Sequence, residues 1–223
     1  MSKRTWALLA ATIVSIIYGV TFTIAKDVMP KYIEPFGFIL MRVGGSMLLF
    51  WLITPFFSTE KIEKQDFPRI IAAAFFGVAL NMLTFFKGLS YTSPIMGAVL
   101  MVTTPMIVLV LSAILMKERM QNRKIYGLIL GLIGTIFLIL YGKAVINASN
   151  ATLGNILVFI NAVSYGFYLI IVKKLMDKYN AFAFVKWIYT FGFLMVLPFG
   201  WSEFQAVDFT NVPMDIFWKI GFV

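Results

Sequence analysis

Of 223 residues, 61% are hydrophobic and only 13% charged, with a mean hydropathy of +0.90; soluble domains carry roughly a quarter charged residues, so this is the composition of an integral membrane protein. The absence of cysteine and histidine excludes disulfides, thiolate metal ligands, a cysteine nucleophile and the commonest general base. A net charge of +9 would suggest nucleic acid in a soluble chain, but these cations sit in short loops between apolar runs, where they report topology and lipid headgroup contact. No nucleic-acid partner is expected.

The apolar runs predict membrane-spanning helices at about Trp6–Ala25, Pro35–Phe57, Ile70–Phe86, Ile95–Met116, Ile125–Tyr141, Leu153–Val172 and Ala181–Phe199. Each is near the ~20 residues that a ~30 Å hydrocarbon core requires. An eighth begins near Met214 and reaches Val223, a length of only about half a bilayer. Alternate loops hold Lys3 and Arg4; Lys61, Lys64 and Arg69; Lys117, Arg119, Arg123 and Lys124; and Lys173, Lys174 and Lys178. The opposite side has only Lys26, Lys31, Lys87 and Lys143. This asymmetry predicts a multi-pass protein of the inner (plasma) membrane with a cytoplasmic amino terminus.

Residues Ile13 to Gly45 recur without gaps 147 positions later as Ile160 to Gly192, with identities that include Tyr18/Tyr165, Gly19/Gly166, Lys26/Lys173, Lys31/Lys178, Tyr32/Tyr179 and Gly45/Gly192. Five spans separate the starts of the two copies, so the copies enter the bilayer from opposite sides. The expected fold is therefore an all-α inverted repeat of five-helix units, with residues 1–147 as the first unit and 148–223 as the first half of the second. On this reading the chain is a truncated ten-helix bundle, with seven full spans and the start of an eighth. In transporters built this way the substrate site lies where the halves meet.

Inward polar positions are the informative ones, because unpaired polar groups are costly in lipid. Gly77, Asn81, Thr84 and Gly88 form one stripe of the third span; Gly97, Met101, Thr104, Val108 and Ser112 form another on the fourth, where Pro105 frees the carbonyl of Met101. Ser15, Tyr18, Gly19 and Phe22 share a face of the first span, and Asn161, Ser164, Tyr165 and Tyr168 a face of the sixth. Arg42 is the only strong charge well inside a span, and an anionic ligand, a carbonyl cap or snorkelling would each satisfy it. The candidate substrate site is Tyr18, Arg42, Asn81, Thr104, Ser164, Tyr165 and Tyr168, set against the ordinary use of small and hydroxylated residues in helix packing.

Gly127, Gly131 and Gly134 make a flat stripe on the fifth span, suited to a helix contact within the monomer or in a homodimer. Glu118-Arg119 closes the fourth span as a solvated pair. All ten acids fall at span ends or in loops; proton antiport usually needs an intramembrane carboxylate, which points towards uniport, exchange or gradient-driven export. Neither a metal nor a cofactor is implied. An integral membrane lipid-modifying enzyme would need a nucleophile and base at the membrane face; a non-transporting scaffold is the remaining alternative.

The order and spacing of Tyr18-Gly19, Phe22 and Lys26, Pro35 then Arg42, Ala79-Leu80-Asn81 to Phe85-Phe86, Tyr91-Thr92-Ser93, Pro105, Glu118-Arg119, Gly154-Asn155 and Tyr165 to Tyr168 resemble the EamA-type branch of the drug/metabolite transporter superfamily. The resemblance covers essentially the whole chain. It implies ten helices in two inverted repeats, cytoplasmic termini, and a central cavity that exports amino acids or other small metabolites by alternating access.

Overall fold

The computed structural model describes residues 3–57, 60–115, 122–141 and 150–223. Apart from short 3-10 and π turns, the regular structure of these residues is α-helical. The helices are α1 (Lys3–Val28), α2 (Pro35–Ile53), α3 (Phe67–Ala74), α4 (Leu80–Tyr91), α5 (Pro94–Met101), α6 (Thr104–Leu115), α7 (Asn122–Tyr141), α8 (Ala151–Met176), α9 (Ala181–Gln205) and α10 (Met214–Phe222). Two pairs join into single spans: α3 continues into α4 through a π turn, Phe75–Ala79, and α5 and α6 form a span broken at Val102-Thr103.

Six helices or helix pairs among the described residues are long and apolar enough to cross a membrane, against the seven expected. In the fifth expected span, the described apolar run of α7 is Ile125–Gly134. Observed helices overrun the apolar runs at several ends, because polar residues continue the backbone ladder past the hydrocarbon boundary: α9 extends to Gln205 rather than Phe199, and α1 to Val28 rather than Ala25. Lys117, Glu118, Arg119 and Lys143 lie outside the described residues.

Association of helices in lipid rests on close packing and interhelical hydrogen bonds, because lipid tails are as apolar as the side chains. The α4–α8 seam shows both. A Cβ on Gly88 would lie 2.8 Å from the carbonyl oxygen of Gly154, and one on Gly154 would lie 2.8 Å from that of Gly88. The bare backbones therefore meet, and at the same end Thr92 Oγ1 donates to Asn155 Oδ1 at 2.7 Å. Further along the seam two asparagines clasp each other's backbone: Asn161 Nδ2 donates to the Asn81 carbonyl at 2.9 Å, and Asn81 Nδ2 to the Asn161 carbonyl at 3.3 Å.

The α2–α9 seam is closed by a carboxylate. The first backbone N–H groups of a helix have no intrahelical acceptor, and at the start of α2 Phe36 N–H and Gly37 N–H donate to Glu203 Oε2 at 2.7 and 2.9 Å. The acid comes from the last turn of α9, at the favourable positive end of the α2 dipole. At the other end of the molecule a polar cluster joins the start of α3 to the turn after α8. Lys178 Nζ bridges Glu63 at 2.9 Å and Asp66 at 2.7 Å, while the buried Tyr179 hydroxyl donates to Asp66 at 2.7 Å and accepts from Glu63 N–H at 3.2 Å. These hydrogen bonds, from Asp66 first and Glu63 second, hold the Lys178 ammonium above the ordinary lysine range. Lys178, and after it Gln65, holds Glu63 below the usual carboxylate range.

On the glycine stripe of α7, a Cβ on Gly131 would lie 2.3 Å from Met106 Sδ, so this glycine packs against α6 within the monomer. Among the described residues, no atom outside the helix's own nearby backbone lies within 4 Å of where a Cβ on Gly127 or Gly134 would stand.

Candidate functional site

A cavity of about 820 Å³ opens among α1, α2, the π turn and α4, α5 and α6, α8 and α9. Six of the seven residues singled out from sequence line it: Tyr18, Arg42, Asn81, Thr104, Tyr165 and Tyr168. Ser164 lies outside the lining; its buried hydroxyl donates to the Phe76 carbonyl at 2.6 Å and fastens α8 to the π turn. A π turn carries one extra residue in the helical ladder, and here its carbonyl is satisfied by a neighbouring helix.

The lining follows the sequence repeat. Adding 147 to Val14, Tyr18, Thr21, Phe22 and Arg42 gives Asn161, Tyr165, Tyr168, Leu169 and Tyr189, and all ten residues face the cavity. Each pair puts one residue from α1 or α2 and its counterpart from α8 or α9 on the same space. Tyr189 is absent from the sequence-based set, although this offset from Arg42 pointed to it. Phe86 on α4, which follows the π turn of the third span, also lines the cavity and is absent from the sequence-based set.

Three features shape the walls. The π turn places Gly77 against the ring of Tyr168, where a Cβ would lie 2.3 Å from Cδ2, so the glycine is what admits the aromatic ring. Tyr168 then stacks on Tyr165 with ring centroids 5.8 Å apart, while Tyr18 meets Phe22 edge-on at 5.2 Å. The break at Val102-Thr103 comes just before Pro105, which has no N–H for a continuing ladder. There Val102 N–H is shared between the carbonyls of Ala98 and Val99, Thr103 N–H goes to Leu100, and Thr104 opens the next helix facing the cavity.

Among the described residues three buried side-chain polar atoms have no hydrogen-bond partner: Arg42 Nη1, Thr104 Oγ1 and Asn161 Oδ1. All three residues line this cavity. Buried polar groups are normally paired, since an unpaired one costs about 1–3 kcal/mol. The Arg42 guanidinium lies over the Phe86 ring, 5.5 Å from its centroid, a cation–π contact, and its Nη1 has no hydrogen-bond partner. Among the described residues no Asp or Glu lines the cavity. Two tyrosines on its walls remain partly open, Tyr18 at 46% and Tyr165 at 36% exposure. The arrangement can bind a small molecule with an aromatic or apolar body and satisfy polar groups at several points on its surface.

The EamA-like transporter family matches residues 5–140 and 152–215. The chain belongs to that family. It is 27% identical over 183 residues to the "Uncharacterized transporter YetK" of Bacillus subtilis, a match covering 82% of this chain and 54% of the relative. To "Uncharacterized transporter YyaM" of the same organism it is 24% identical over 213 residues, covering 94% and 69%. With an "Uncharacterized transporter" of Archaeoglobus fulgidus it shares 26% identity over 197 residues, covering 88% and 67%. The chain thus spans between about half and two thirds of the length of these curated relatives. No solved structure matches it. Family membership together with the six apolar spans among the described residues makes this a multi-pass membrane protein of a transporter family.

Proposed function

We propose that the protein exports small metabolites, amino acids among them, by alternating access, and transports its cargo without chemically changing it. The observation that carries this reading is the coincidence of the three unpartnered polar atoms with a cavity lined by repeat-related residues. A substrate would supply the missing partners, and two inverted repeats, the first spanning residues 1–147 and the second beginning at residue 148, would rock about it. The broken fourth span supports the same reading, since irregular backbone at membrane depth is tolerated where it lines a cavity. Tyr18, Arg42, Asn81, Thr104, Tyr165 and Tyr168 are the proposed binding residues. Ser164 is their positioning neighbour through Phe76.

The lysine and arginine asymmetry supports a cytoplasmic amino terminus, which puts the Glu63–Asp66–Lys178–Tyr179 cluster on the cytoplasmic side and the Glu203 cap on the outer side. Ties at both faces of the bundle are what a cavity alternately open to each side requires. In a homodimer, the open strip at Gly127 and Gly134 is where a second copy would seat.

The test is substrate flux in proteoliposomes loaded with an amino acid mixture, comparing the intact protein with Tyr18→Ala and Tyr165→Ala. Flux in the parent that falls at least tenfold in either variant, with both variants still folded, is the expected result; no flux with any substrate would overturn the reading. Orientation is read separately. Cysteine in place of Thr210 should react with an impermeant thiol reagent in intact cells, and cysteine in place of Lys61 should not.

A further inference from the structure

The cavity is symmetric in its register and asymmetric in its charge. Four of its repeat-related pairs are uncharged: Val14/Asn161, Tyr18/Tyr165, Thr21/Tyr168 and Phe22/Leu169. The fifth sets the cation of Arg42 where the second copy has the phenol of Tyr189. Among the described residues no carboxylate lines the space, so they leave one positive charge there without an acidic partner. A buried cation is costly unless something pairs with it, and the Phe86 ring supplies only the weak attraction of a quadrupole.

We infer that the substrate is an organic acid: a small molecule with an aromatic or apolar body whose carboxylate pairs with Arg42, and whose second polar group is a hydrogen-bond donor for Asn161 Oδ1 or Thr104 Oγ1. This inference rests on the transport reading of the same cavity and narrows it. The guanidinium is delocalised and forked, so its free Nη1 edge suits a carboxylate better than a neutral carbonyl. Asn161 donates one amide N–H to the Asn81 carbonyl. Its unpartnered Oδ1 is an amide carbonyl oxygen and accepts only. The Thr104 hydroxyl can serve either way. The body of the ligand would lie against the rings of Tyr18, Tyr165, Tyr168 and Phe22, which offer aromatic faces and edges. An amine without an acid group has no anion to meet and would be repelled by Arg42.

The experiment is calorimetric binding of four matched probes to the intact protein in detergent: 3-phenylpropionate, its amide, 3-phenylpropylamine and 3-phenyllactate. Expected is an affinity at least tenfold higher for the acid than for the amide, no binding of the amine, and a further gain for phenyllactate from its hydroxyl. Arg42→Gln should erase the preference for acid over amide, and Arg42→Lys, which keeps the charge, should retain part of it. The probe series on the parent protein needs no variant, so a misfolded Arg42→Gln does not blunt the test. Equal affinity for acid and amide, binding of the amine, or no binding of any probe would each overturn the inference. Decanoate offers the same carboxylate on a lipid-like chain; tighter binding of decanoate than of phenyllactate would overturn the aromatic part. Flux of the same probes in proteoliposomes separates the two readings. Amide moving as fast as acid sinks charge selection and leaves transport standing, whereas selective binding of acid without flux of any probe sinks transport and leaves the anion site standing.

Discussion

Gly45 and Gly192 hold the same place in the two copies of the repeat, as do Gly19 and Gly166, and the structure treats the copies differently. Around Gly19 and Gly45 no atom of the described residues, the helix's own nearby backbone aside, lies within 4 Å of where a Cβ would stand. Gly192 is pressed against Val78, whose Cγ1 would be 2.5 Å from an added Cβ, and Gly166 against Leu111, at 3.0 Å. The helices that carry them differ in the same way: α1 is exposed along most of its length to Val20, while α8 is packed between α4 and α6. One sequence pattern thus has two environments. A conserved spacing sets which face of a helix is small or polar, but the neighbours set what that face is worth.

Substituting these glycines breaks the comparison most directly. Gly192→Ala should cost about 1–3 kcal/mol, because Val78 is β-branched and has little rotamer freedom with which to yield. Gly45→Ala should fall within about 0.5 kcal/mol of the parent, as surface substitutions do. Thermal unfolding in detergent measures both, and equal losses would mean that the two copies share one environment.

A second contrast lies at the helix ends. Lys26 Nζ donates to the carbonyls of Leu89 and Ser90, both at 2.8 Å, and so caps the carboxyl end of α4 with a cation where the helix dipole favours one. Its counterpart Lys173 is exposed. Lys26→Met should lower stability by about 1 kcal/mol, a charged hydrogen bond being worth about 1.5–3 kcal/mol before partial exposure weakens it, and Lys173→Met should leave the melting temperature unchanged.

The smallest effect concerns the Lys-Tyr pair shared by both copies. Lys31 lies over the ring of Tyr32, 4.8 Å from its centroid, and Lys178 over that of Tyr179 at 5.2 Å, but among the described residues only the second pair is tied to acids across the bundle. Glu63 is held below its ordinary value, so its share of stability is present above the unfolded carboxylate range near pH 4 and fades as pH falls through the lowered folded value. Lys178 is held above its ordinary value, so its share is full below about pH 10 and is lost only as pH rises through the raised folded value. Between about pH 5 and 10 the cluster's contribution should be flat. Lys178→Met should remove a stabilisation of constant size across that window and steepen neither edge, while Lys31→Met should change nothing at any pH. Melting temperatures across a pH series check it.

Much of this was legible beforehand for a simple reason. Membrane helices announce themselves by the length of their apolar runs, and a 147-residue offset between two stretches survives in the sequence whatever the neighbours do. Tyr18, Asn81, Thr104, Tyr165 and Tyr168 were found because helical periodicity aligns them on faces that must avoid lipid. Ser164 shares that periodicity, yet its hydroxyl is taken by Phe76, whose carbonyl is turned out by a π turn that no residue pattern announces. The Asn81–Asn161 clasp and the Glu203 cap join residues 80 and 166 or more positions apart, so each needed the bundle to exist before it could be seen. The sequence by itself determined the membrane class, the span positions, the repeat and the candidate faces, because these follow from hydrophobicity and periodicity along one chain. Tertiary structure alone decided which polar atoms are already satisfied and which remain open to a ligand, because pairing depends on atoms that distant helices bring within 3 Å of one another.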